Sequence, residues 1–145
     1  MGRVNRPIPP ETFYDAVGGH AFFAQLTHEF YRRVAADADF RAMYPEEDLG
    51  PAEDRLRMFL EQYWGGPSTY QEQRGHPRLR MRHMPFRITT VQRDIWLGHM
   101  RAALATTAIS PELEEILLDY LTRAADAMRN TPDDAPAEPR KGLQL

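Results

Sequence analysis

The chain has 145 residues and a mass of 16.8 kDa, with 42% hydrophobic and 27% charged residues, which suits one domain around one core. It contains no cysteine, so disulfides, thiolate metal sites, cysteine nucleophiles and cofactors attached through Cys-x-x-Cys-His are excluded. A formal charge of −3 gives no overall attraction to nucleic acid, and any basic function must be local.

No run approaches ~18 consecutive apolar residues and the N-terminus has no apolar leader. Neither a membrane span nor secretion is expected, and cytoplasmic residence is. Lys141 is the only lysine, so the basic character is almost entirely arginine.

Prolines crowd both ends: Pro7, Pro9 and Pro10 at the start, Pro132, Pro136 and Pro139 at the finish. Residues 1–10 and 131–145 are therefore expected to be flexible tails around a folded body at 11–130. After Gly18-Gly19, Phe23, Leu26, Thr27, Phe30, Tyr31 and Val34 recur at three-and-four spacing, the buried face of a helix. A short turn is expected over 37–43.

Pro51 suits the first position of the next helix, where its missing N–H costs nothing, and Ala52, Leu56, Phe59, Leu60 and Tyr63 share a side. Gly65-Gly66-Pro67 stops it. Residues 68–78 lack periodicity and predict a loop, followed by a short helical piece at 79–84. Thr89 with Gln92 reads as a capping box ahead of Trp96, Met100, Ala103 and Leu104. Ser110-Pro111-Glu112 supplies an N-cap, a first-position proline and an acidic first turn for a helix carrying Leu113, Ile116, Leu117, Tyr120, Leu121, Ala124 and Met128. The whole predicts an all-helical domain with four main helices and some short ones.

Five histidines are present, His20, His28, His76, His83 and His99, without an i,i+4 pair or His-Glu-x-x-His, so a multi-histidine metal site is not expected. A haem iron, however, needs only one protein nitrogen, because the porphyrin fills the in-plane positions. His83 is the best placed for that role: it lies four residues after Leu79, and Pro85 leaves it on a short element that can be aimed at a flat cofactor. By spacing alone, Tyr31 and Trp96 are core aromatics. Tyr44, ahead of Pro45 and Glu46-Glu47-Asp48, is less expected in a core. Arg74, Arg78, Arg80, Arg82 and Arg87 form a basic stretch without an intervening acid, readable as a solvated loop, a phosphate-gripping patch or partners for haem propionates.

Several of these pieces recur together. Phe13-Tyr14-Asp15-Ala16-Val17-Gly18-Gly19, Phe30-Tyr31, Met43-Tyr44-Pro45-Glu46, Glu61-Gln62-Tyr63-Trp64-Gly65-Gly66-Pro67, Arg74-Gly75-His76-Pro77, Met81-Arg82-His83 and Asp94-Ile95-Trp96 resemble, in order and spacing, the group II or O-type truncated haemoglobins over about residues 12 to 130. The resemblance implies a truncated globin fold, a two-over-two helical sandwich. It also implies one non-covalent haem b with His83 as iron ligand, and Tyr31, Tyr44 and Trp96 on the distal side. Arg55 and Arg82 become propionate partners, Ala52 takes the distal position where many globins carry a polar gate, and Leu56 and Phe59 join the haem-contacting set.

The function so implied is binding of oxygen, nitric oxide, carbon monoxide and other small ligands, peroxide and sulfide among them, with slow release. A slow-releasing protein is a poor oxygen store, so redox detoxification is expected, as nitric oxide dioxygenation or peroxidase-like turnover. Electrons would come from an outside reductase, since no flavin or nicotinamide fingerprint is present. A homodimer is left open, and no nucleic-acid partner is expected. The competing reading is a cofactor-free helical interaction module that sets the arginine stretch 74–87 on an anionic partner.

Overall fold

The computed structural model describes residues 12–134, in which eight helices and no strands are found. The expected tails lie outside the described residues except for 131–134. Those four are tied down, since Thr131 N–H donates to Ile88 O at 3.1 Å and Asp133 Oδ1 accepts from Thr90 N–H at 3.0 Å.

The helices are α1 (Phe13–Val17), α2 (Gly19–Ala36), α3 (Ala38–Arg41), α4 (Gly50–Tyr63), α5 (Thr69–Arg74), α6 (Leu79–His83), α7 (Thr90–Leu104) and α8 (Pro111–Ala127). The long ones, α2, α4, α7 and α8, are the four main helices expected. Gly18 separates α1 from α2 at φ 115°, a left-handed conformation that a side chain rarely adopts. Gly66 ends α4 for a different reason. A Cβ there would sit 2.6 Å from the Tyr14 ring and 2.8 Å from Glu61 O.

α2 packs against both α4 and α7, and α7 packs against α8. Phe23, Leu26, Phe30 and Val34 of α2 are completely buried and meet Leu60, Met100, Leu104, Leu117 and Leu121 in one core. Each such large apolar side chain contributes roughly 1.5–3 kcal/mol by leaving water. Both predicted caps are present. Thr89 and Gln92 close a reciprocal box on α7, and Ser110 Oγ accepts from Leu113 N–H at 3.3 Å on α8.

Three expectations need correction. The loop expected at 68–78 contains α5, held by a tertiary anchor rather than by periodicity: Tyr70 is buried against Phe59, ring centroids 5.8 Å apart, and Gln71 N–H donates to Gln62 Oε1 at 2.8 Å. Tyr63, expected on the buried side of α4, is 52% exposed and stacks on Tyr120 at 4.1 Å. Ile116, expected on the buried face of α8, is 49% exposed.

At the α2–α3 corner, Asp37 receives a hydrogen bond from His99 Nε2 of α7 at 2.8 Å and caps α3 through Phe40 N–H at 3.3 Å. Chiefly the His99 bond, and then the Phe40 bond, hold this carboxyl below its ordinary value. A carboxyl whose folded value lies below its unfolded one leaves the native state with fewer protons. Its stabilisation is present above about pH 4 and is lost as pH falls through the folded value. Asp37→Asn is therefore expected to lower the thermal midpoint at neutral pH, with the gap to wild type narrowing on acidification below about pH 4. A gap that stays constant from neutrality to the acid limit would assign Asp37 no titrating role.

Candidate functional site

The helices enclose a cavity of about 650 Å³, within the roughly 300–1,000 Å³ of pockets that take cofactors and small molecules. Every candidate residue from the sequence lies on its wall: Tyr31, Tyr44, Ala52, Arg55, Leu56, Phe59, Arg82, His83 and Trp96. They come from α2, the loop after α3, α4, α6 and α7, so the site is assembled by the packing of the main helices rather than by any one segment.

His83 ends the five-residue α6, which starts from Arg78 in a left-handed conformation, φ 46°. The His83 Nδ1 atom lies 2.6 Å from Leu79 O, the residue four positions earlier. A carbonyl oxygen can only accept, so Nδ1 carries the hydrogen and, in the neutral ring, Nε2 keeps the lone pair. Among the described residues His83 is the only histidine on the cavity wall. His20 bonds Glu61 at 2.8 Å, His99 bonds Asp37, and His28 lies 3.4 Å from Glu53.

On α7, Trp96 packs its ring against Phe30, centroids 5.3 Å apart. Its indole N–H makes no hydrogen bond to another described residue. The rings of Tyr31 and Tyr44 meet edge to face, centroids 5.8 Å apart. Burial is the main cause that pushes both phenols well above their ordinary value, so both keep their hydrogens at neutral pH. Both phenols line the cavity and therefore have a hydrogen to offer there.

The cations differ. Arg55 forms an ion pair with Glu46, so its charge already has a partner. Arg82 turns its guanidinium to backbone carbonyls, Pro77 O at 2.7 Å and Arg74 O at 3.2 Å, and keeps its net charge at the cavity.

The sequence profile of the bacterial-like globins matches residues 12–130. The chain belongs to the bacterial-like globin family. The group 2 truncated haemoglobin YjbI of Bacillus subtilis is 38% identical over 117 residues, 81% of this chain and 87% of that one. Among solved structures, the thermostable haemoglobin of Thermobifida fusca is 61% identical with a TM-score of 0.83, covering 85% of this chain and all of that one. A truncated oxygen-avid haemoglobin from Bacillus subtilis is 38% identical with a TM-score of 0.78, covering 83% of this chain and all of its own. The fold of this globin is thus that of the truncated, two-on-two haemoglobins, and haem is the cofactor that the family implies.

The residues of this globin fit that cofactor. The cavity is large and walled by Phe59, Leu56, Leu79, Phe86 and Ile88, it holds one histidine whose free ring nitrogen can ligate, and it carries uncompensated guanidinium charge. Sequence reasoning missed two contributors, Tyr70 and Asn130. Tyr70 and Arg74 reach the wall through α5, with the Arg74 guanidinium 5.8 Å from the Tyr70 ring centroid. Asn130, outside the cavity, fixes the turn after α6: its Nδ2 donates to His83 O at 3.1 Å and Phe86 O at 2.9 Å, and its Oδ1 accepts from Ile88 N–H at 3.0 Å. Asn130→Ala leaves these backbone groups without that partner and is expected to cost about 1–3 kcal/mol, read as a lower denaturant midpoint with an unchanged slope. An unshifted midpoint would mean that water replaces the side chain without loss.

Proposed function

We propose that this globin binds one haem b non-covalently, with His83 Nε2 as the sole protein ligand to iron, and retains oxygen and related small ligands with slow release. Bound haem would supply an iron with an open position for a diatomic ligand. The residues of the chain do the rest. Leu79 O holds the His83 ring in one tautomer and orientation, as outer partners of metal-ligating histidines do. Arg82 and Arg74 offer cationic partners to the propionates, and Arg55 would join them by exchanging its pairing with Glu46.

On the distal side, Trp96 N–H is a donor that cannot accept, and Tyr31, packed against Tyr44, adds a second donor. Ala52 brings only a methyl group, which leaves ligand stabilisation to these three. The observation that carries the reading is the pairing, in one cavity, of a histidine with a free ring nitrogen and an indole N–H without a protein partner. The oxygen-avid relative from Bacillus subtilis supports slow release.

Slow release favours redox use over transport: nitric oxide dioxygenation, or peroxidase-like turnover, in the cytoplasm with an external reductase. Adding haemin to the purified chain is expected to give a Soret band, and oxygenated protein is expected to consume nitric oxide as long as reductant is supplied. Absence of a Soret band, with tight binding of an anionic macromolecule to residues 74–87, would favour the cofactor-free module instead.

A further inference from the structure

From Gln73 to Arg93 the chain has six arginines and no aspartate or glutamate, although the protein as a whole is net negative. Among the described residues, Arg74, Arg78, Arg80 and Arg82 have no carboxylate partner. Arg80 donates to Ala127 O at 2.5 Å and Arg129 O at 2.8 Å, Arg82 donates to the two carbonyls already named, and backbone carbonyls leave their charges uncompensated. Arg74 and Arg82 line the haem cavity. Arg78 and Arg80 do not, so their charge faces outward whether or not propionates are present. Two methionines share this surface, Met81 at 57% exposure and Met84 at 56%, and neither lines the cavity.

We infer that the face built by α6 and its flanks, with Arg78 and Arg80 around Met81 and Met84, is the docking surface for an acidic, one-electron-donor protein that reduces the haem iron. The inference rests on the haem reading and names the kind of reductase that reading needs. Charge selects the partner: an acidic surface is attracted to this face and repelled by the net-negative remainder, which steers the encounter and suppresses other orientations. Methionine suits the contact, because its flexible, polarisable side chain adapts to a transient partner.

Position supplies the rest. Met81 and Met84 flank His83 along the chain, and the His83 ring is bonded to α6 through Leu79 O, so a donor seated here is a few covalent bonds from the proposed iron ligand. The step is a bare electron transfer: the donor is oxidised by one electron, ferric iron becomes ferrous, and no bond is made or broken. Nucleic acid is the weaker occupant, because no exposed aromatic platform for bases lies among these arginines.

The test uses haem-loaded full-length protein and an acidic flavodoxin as the probe. Arg78→Asp and Met81→Glu are the variants, since aspartate tolerates the left-handed backbone at 78 and position 81 is open to solvent. Reduction of the ferric protein by photoreduced flavodoxin, trapped with carbon monoxide, is expected to slow at least about tenfold between ~0.01 M and ~1 M salt. At low salt the double variant is expected to be slower by a similar factor, while its reduction by photoreduced riboflavin stays at the wild-type rate. Independently of turnover, oxidised flavodoxin is expected to shift the amide resonances of residues 78–84 in labelled protein.

A Soret band together with salt-insensitive reduction and unmoved α6 resonances would overturn the docking surface while leaving the haem reading intact. Failure to take up haem would overturn both. Equal shifts with a basic cytochrome, or shifts with duplex DNA and none with flavodoxin, would also overturn it.

Discussion

His83→Ala is expected to lose the Soret band that the wild-type chain develops with haemin, or to retain haem only weakly and with a changed spectrum. His20, His28 and His99 face carboxylates, and His83 alone among the described residues lines the cavity, with Nδ1 committed to Leu79 O and Nε2 left for a metal. Removing an outer-shell partner of a ligating histidine already costs about 10–100-fold in metal affinity, so losing the ligand itself should cost at least the upper end of that range. Titration of haemin into both proteins gives the comparison. Added imidazole, which can enter the space left by the ring, is expected to restore part of the spectrum. An unchanged spectrum in His83→Ala, with loss in His76→Ala instead, would place the ligand elsewhere.

What could be read from residues alone divides along the range of the interactions involved. The caps at Thr89 and Ser110, the glycine stops and the buried face of α2 are set by neighbours within a few residues, and these were legible. α5 was not, because its anchor is Tyr70 against Phe59 from another helix, and a six-residue segment has too little length to show a period. Asn130 left no local signal either, since its value lies in reaching His83, Phe86 and Ile88 more than forty residues back. Tyr31 and Trp96 show the limit most clearly. Helical spacing makes them core aromatics, and only assembly of the cavity reveals that their polar ends face an open space. The resemblance to truncated haemoglobins supplied those positions, and all of them line one cavity.

The second large effect concerns Trp96. Trp96→Phe keeps an aromatic ring beside Phe30 but removes the indole N–H together with the five-membered ring, so an unchanged thermal midpoint in the variant assigns a change in ligand release to the lost donor rather than to a hole in the core. That donor has no protein partner, and an indole cannot turn to accept, so its hydrogen is available to a ligand oxygen at all times. A hydrogen bond to a group bearing charge contributes about 1.5–3 kcal/mol. At about 1.4 kcal/mol per tenfold, oxygen dissociation is expected to quicken by roughly one to two orders of magnitude. The tyrosines should behave differently. Because Tyr44 and Tyr31 pack ring against ring on the same cavity, Tyr31→Phe and Tyr44→Phe are expected to give a combined effect smaller than the sum of the two, as coupled neighbours do. Stopped-flow oxygen dissociation on the wild type, the three single variants and the tyrosine double variant decides both points. A Trp96→Phe rate equal to wild type, with haem retained, would return Trp96 to the packing role that its helical spacing suggests.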